Sequence, residues 1–171
     1  MFTDDTALDM PDYRHLRDGP VILFRRKPVL EAAIAALAPA GYRAIRLPCA
    51  DGAEAFRLHM TAALKWQAQF GYAPWTGNLD ALNDALRAEP RDSSRNTVIC
   101  IEDFHRLHAA DPDRAVAMLD IMASASRQYL LFGARLLIFV QTDDGDFHAR
   151  SLGGTAAIWN PAEWLISDRG P

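Results

Sequence analysis

The apolar positions of this 171-residue chain change period several times, and each change marks an element. Val-Ile-Leu-Phe at 21–24 is a short unbroken apolar run, enough for one buried strand. From Pro28 the period lengthens. Leu30, Ile34 and Leu37 recur at helical spacing, with Pro28 in the first turn and Gly41 past the end. Residues 42–49 alternate, so Ile45, Leu47 and Cys49 share one face of a half-buried strand. Phe56, Met60, Ala63 and Leu64 stripe a helix predicted over 53–67. A turn then leads into a shorter helix from 78 to about 88, ended by Pro90 and the polar run at 91–96. The apolar runs 97–101 and 135–140 read as strands buried on both faces, the first of them central. Between them Asp111-Pro112 opens a long helix that Gly133 closes.

Strands alternating with helices predict an α/β fold, a mainly parallel sheet of about four strands with packed helices. The tail, with Gly153-Gly154 and the tryptophans Trp159 and Trp164, is expected to add a last strand or to cover an open side. Residues 1–19 lack periodicity and read as a loosely ordered lead-in. Residues 20–171 read as a single domain that begins with a βα unit at 20–41 and ends with an extension at 143–171.

Composition narrows the class. Half of the residues are hydrophobic, enough to bury a sizeable core, and a formal net charge of −4 gives no reason to expect nucleic-acid or membrane binding. Two cysteines, Cys49 and Cys100, are too few for a disulfide framework and sit in apolar runs, as buried reduced thiols do. The first residues are acidic and polar, unlike a secretory signal, and no apolar stretch reaches the ~18 residues of a membrane helix. A soluble cytoplasmic protein is the expectation.

Several stretches could carry chemistry. Val-Ile-Cys-Ile-Glu-Asp-Phe places Glu102 and Asp103 at the end of an apolar strand, as in a Walker B element. Nucleotide hydrolysis also needs a phosphate cradle, and neither Lys27 nor Lys65 lies in a G-x-x-x-x-G-K-[ST] loop. Glu102, Asp103, His105 and His108 have a spacing that permits a metal on one helical turn, against the plainer reading of an exposed amphipathic turn. The Thr-Asp-Asp-Gly-Asp run with His148 does not match an EF-hand loop and reads as a turn. No G-x-S-x-G elbow marks a nucleophile. Arg25-Arg26-Lys27, between a strand and a helix, is either a phosphate contact or a solvated basic turn. The expectation is therefore no cofactor, no metal and no catalytic residues. The charges are uneven, however. Seven basic residues face two acids between Arg14 and Arg46, whereas six acids face three arginines between Asp80 and Phe104.

The acidic side holds Gly-Tyr-Ala-Pro-Trp-Thr-Gly-Asn-Leu-Asp-Ala-Leu-Asn-Asp-Ala-Leu, residues 71–86. Leu79, Leu82 and Leu86 fall on one helical face, which must be buried. Asp80 and Asp84 project from a neighbouring face, with Asn83 at the margin. Asp80 suits the positive end of the helix dipole, and Thr76 or Asn78 can cap the helix. Asp84 lies too late for that help and has only a possible pairing with Arg87. The other reading is a binding face: Tyr72 and Trp75 supply rigid aromatic area beside the acids, and Gly77 permits close backbone approach.

This stretch resembles the signature of the barstar family, intracellular inhibitors of secreted bacterial ribonucleases. The shared pattern is an aromatic-rich turn followed by Asn78-Leu79-Asp80-Ala81-Leu82, a variable residue, then Asp84-Ala85-Leu86. The order of elements over 42–142 is similar to the whole family fold, so that span would be a barstar-like core. The resemblance implies an inhibitor and not an enzyme. Its turn and helix would enter the basic active site of a ribonuclease or nuclease toxin, with Asp80 and Asp84 in place of RNA phosphates and Asp84 the deeper. Tyr72, Trp75, Gly77 and Asn78 would shape the contact. Three positions depart from the family: Thr76 stands where a glycine is usual, Asn83 replaces a frequent aromatic, and Gln128 stands for an acid on the last long helix. The alternative on the same scaffold is an interaction module whose partner is not a nuclease.

Overall fold

The computed structural model describes residues 10–88, 95–149 and 151–163. The apolar runs become strands β1 (Val21–Phe24), β2 (Tyr42–Pro48), β3 (Asn96–Glu102) and β4 (Arg135–Gln141), and the tail adds β5 (Ile158–Trp159). Among the described residues these form one sheet in the order β2-β3-β4-β1-β5, with every pairing parallel. The burial of each strand follows its place. β1, β3 and β4 lie inside the sheet and are buried on both faces, which is why their sequences are continuous apolar runs. β2 is an edge strand and alternates, with Ile45 and Leu47 in and Arg46 out. β3 is central as expected, flanked by β2 and β4, and β4 holds the middle position.

The pleat sends alternate side chains to two cores. Val21, Leu23, Ile45, Leu47, Ile99, Ile138 and Val140 face the larger one. It is covered by α3 (Gly52–Ala63), α4 (Trp66–Phe70), α5 (Leu79–Ala88), α6 (Phe104–Ala110) and α7 (Pro112–Leu131). Ile22, Phe24, Val98, Cys100, Leu137 and Phe139 face the smaller one, under α1 (Pro11–Asp18) and α2 (Lys27–Leu37). Both cysteines are buried, and burial pushes each thiol up to about 12, so neither is a thiolate at neutral pH.

Two sequence expectations are corrected. Residues 11–18 are not a loose lead-in but helix α1. Its Asp12 is fully buried and accepts hydrogen bonds from the Tyr42 hydroxyl and the Arg135 guanidinium, each at 2.7 Å. An eight-residue helix is too short to show a period, and its anchors lie far along the chain. Residues 1–9 are outside the described residues. The helix predicted over 53–67 is two helices, because Lys65 adopts φ 50° and the chain turns to bury Trp66. The βα unit at 20–41 places β1 between β4 and β5.

The tail crosses α7 at Gly153, whose N–H donates to the Asp120 carboxylate. A Cβ there would stand 3.1 Å from the Ser124 nitrogen and 3.2 Å from the Ala123 carbonyl carbon, so only glycine permits this approach. Trp159 packs against the larger core as part of β5, while Trp164 lies outside the described residues.

Candidate protein-binding site

The turn before α5 rests on an aromatic cluster. Trp66, fully buried, stacks on Phe70 at 4.6 Å between ring centroids and meets Trp75 at 5.9 Å and Tyr72 at 6.3 Å. Polar contacts then pin the backbone. The Trp75 amide donates to the Thr61 hydroxyl on α3 at 2.8 Å, and the Trp75 indole N–H donates to the Asn78 carbonyl at 2.8 Å. Arg114 on α7 reaches across to donate to the Gly77 carbonyl.

These contacts bury two of the residues read as partner contacts and give a third a structural role as well. Trp75 is only 3% exposed: its ring is part of the core and its N–H is spent on the turn. Gly77 is buried under Arg114 with φ +91°, and a Cβ would come within 2.9 Å of that guanidinium. Its freedom serves the chain's own packing and not a partner's approach. Asn78 is exposed, but its side-chain oxygen accepts from the amides of Asp80 (2.8 Å) and Ala81 (3.3 Å), so it is the cap of α5. Tyr72, 44% exposed at the edge of the cluster, is the aromatic that does face solvent.

α5 buries Leu82, Ala85 and Leu86 completely, with Leu79 half-buried beside them. Asp80 and Asp84 are both exposed, one helical turn apart, and Asn83 is half-buried. Among the described residues neither carboxylate is in an ion pair, so the possible Asp84–Arg87 pairing is not made. Two like charges are thus held side by side on a helix whose other face is fixed in the core. Gln128 lies on α7 and is half-buried.

The other candidate groups are engaged internally. At the carboxyl end of the sheet Lys27 meets Asp103 at 2.9 Å, and Arg46 bridges Glu102 at 3.0 Å and Glu31 at 2.5 Å. The acids of the Walker-like strand are therefore balanced by the chain's own cations. Asp103 and His105 do approach Asp143, with ligand atoms within 4.8 Å of one another. However, His105 Nδ1 accepts the Asp143 amide at 3.3 Å, which in neutral imidazole leaves the proton on Nε2. A metal-bound histidine instead donates from its other nitrogen. His108 packs between Phe104 and Phe147. In the 142–146 turn, Thr142 and Asp144 accept the amides of Asp144 and Asp146.

The basic turn at 25–27 meets an anion that sequence reading missed. Glu163, from the 3-10 turn Pro161–Glu163, is 7% exposed. Its Oε1 accepts the amides of Arg25 (3.2 Å) and Arg26 (3.1 Å), and its Oε2 accepts from the Arg26 guanidinium at 3.1 Å. Arg114 and Thr61 were missed as well. Nothing local in the sequence marks any of the three, because each acts on a residue 14 or more positions away.

Among the described residues no helix is long and apolar enough to cross a membrane. The chain has no significant match among curated proteins or among solved structures. A family model described as Barstar (barnase inhibitor) matches residues 44–141, from β2 through β4, more than half of the chain. The matched region contains the turn, the capped helix α5 and both exposed aspartates. With that match and a parallel α/β sheet of this order, the chain belongs to the barstar family.

Proposed function

We propose that this chain is a stoichiometric protein inhibitor of a ribonuclease or nuclease toxin, and that it is not an enzyme. The observation that carries the reading is the pair Asp80 and Asp84, exposed, adjacent and without ion-pair partners among the described residues, on a helix immobilised from behind. A nuclease active site is lined with cations that hold RNA phosphates. Two carboxylates at fixed positions can take the place of those phosphates without paying the entropy of ordering a loop. Tyr72 would add aromatic contact beside them, and Asn83 and Gln128 would lie at the margin of the interface. The chain would act in the cytoplasm, protecting the cell that makes the nuclease.

The test is titration of the chain against a basic ribonuclease identified by capture from its source cells. One-to-one inhibition is expected. Asp84→Ala should cost at least about 2 kcal/mol of binding, the level of a hot spot. Wild-type affinity in that variant would falsify the site. Association should also slow as salt rises, and Asp80→Asn with Asp84→Asn should flatten that dependence. The family's own reference pair is the usual example of such steering. A second reading, an interaction module for a different partner, is favoured by Asn83 and Gln128, which depart from the family. Capture of a stable complex lacking any nuclease would support it.

A further inference from the structure

A cavity of about 320 Å³ opens behind the turn, between α3, α6 and the start of α7. Leu79 of α5 lines it, but neither Asp80 nor Asp84 does. Its apolar lining includes Phe56, Trp75 and Met118, each at most 3% exposed, and the half-buried Leu79 and Leu107, which offer more of their surface. Its rim carries Arg57, Asp111 and Arg114. The rim charges are not equivalent. Asp111 accepts the Arg114 amide at 3.1 Å and so caps α7. Arg114 spends one nitrogen on the Gly77 carbonyl and keeps its other donors. The Arg57 guanidinium makes no ion pair or hydrogen bond among the described residues.

Two guanidinium groups against one capping carboxylate leave the mouth with an excess of positive charge over an apolar interior. The planar fork of arginine matches a carboxylate, and a single excess charge suits a monoanion. The volume is at the lower end of the roughly 300–1,000 Å³ of small-molecule sites. We propose that this cavity binds a small carboxylate with an aromatic or branched apolar body. The body lies on Leu79 and Leu107, against the little that Phe56, Trp75 and Met118 expose, and the carboxylate is held by Arg57 and Arg114. Neither aspartate of α5 lines the site, and the proposal does not depend on the inhibitor reading.

The experiment is an NMR titration of the intact chain with N-acetyl-L-phenylalanine, using the Trp75 indole N–H as reporter. Its hydrogen bond to the Asn78 carbonyl gives it a distinct environment beside the cavity. A saturable shift of the Trp75 and Met118 signals is expected. Binding should weaken about tenfold or more when the probe is N-acetyl-L-phenylalaninamide, which lacks the charge, and in Arg57→Gln, which lacks the cation. Ala53→Leu, which narrows the mouth while keeping Arg57, should reduce binding as well. No saturable shift, equal binding of the amide, or undiminished binding by Arg57→Gln would overturn the proposal. A pentapeptide ending in phenylalanine that binds more tightly than the free acid would overturn the small-molecule assignment in favour of a peptide terminus. No nuclease enters the experiment, so its failure is distinguishable from failure of the inhibitor reading.

Discussion

Asn78 shows how one residue of a signature can be conformational while its neighbours are free to bind. Its side-chain oxygen holds the first amides of α5, and its carbonyl accepts both the Leu82 amide and the Trp75 indole. Asn78→Ala removes the cap and should destabilise the protein by about 1 kcal/mol in urea unfolding, whereas Asn78→Asp should retain most of the stability. Asp80 and Asp84 make no comparable contact among the described residues. Their replacement by asparagine should leave the urea midpoint nearly unchanged, so their effects on partner binding can be read without a folding correction.

At the scale of the element, α1 depends on what it packs against. His15 meets Phe139 of β4 edge-on, with ring centroids 5.8 Å apart. Burial lowers its pKa from the usual 6.5 and outweighs the opposing attraction of Asp12 and Asp18. The unfolded chain therefore takes up a proton at His15 before the folded chain does. The contribution of His15 to stability is complete above pH 6.5 and is lost as pH falls through that value towards the folded pKa. Urea midpoints should decline as pH falls below about 6.5, and His15→Gln should remove part of the decline. An equal slope in the variant would show that α1 does not hold His15 in this half-buried place.

At the scale of the molecule, the described parts of the two segments outside the family match are built into the domain. β5 pairs with β1, and Glu163 takes the amides at the start of α2 that a bound anion would otherwise occupy. Glu163→Ala would leave two amides and a guanidinium facing an empty place, and should cost about 2 kcal/mol. If the tail is integral, unfolding of this variant followed at Trp159 and by circular dichroism should still show one transition. Two separated transitions would show that the tail folds independently of the sheet.

The strands and their burial were legible in the chain because side-chain period reports directly on local geometry. Continuous apolar runs at 21–24, 97–101 and 135–140 became interior strands, and the alternating run at 42–49 became an edge strand. The leucine stripe likewise determined which face of α5 is buried, and so that Asp80 and Asp84 point outward. The sequence could not show that Trp75 and Gly77 are spent inside the molecule. Their partners, Trp66, Thr61 and Arg114, come from other elements, and only packing brings them together. For the same reason α1, the break at Lys65 and the Glu163 contact emerged only in three dimensions. Local periodicity therefore determined the elements and the exposed acids by itself. Contacts between distant residues decided which aromatic remains available, which glycine is structural and how Glu163 anchors the described part of the tail.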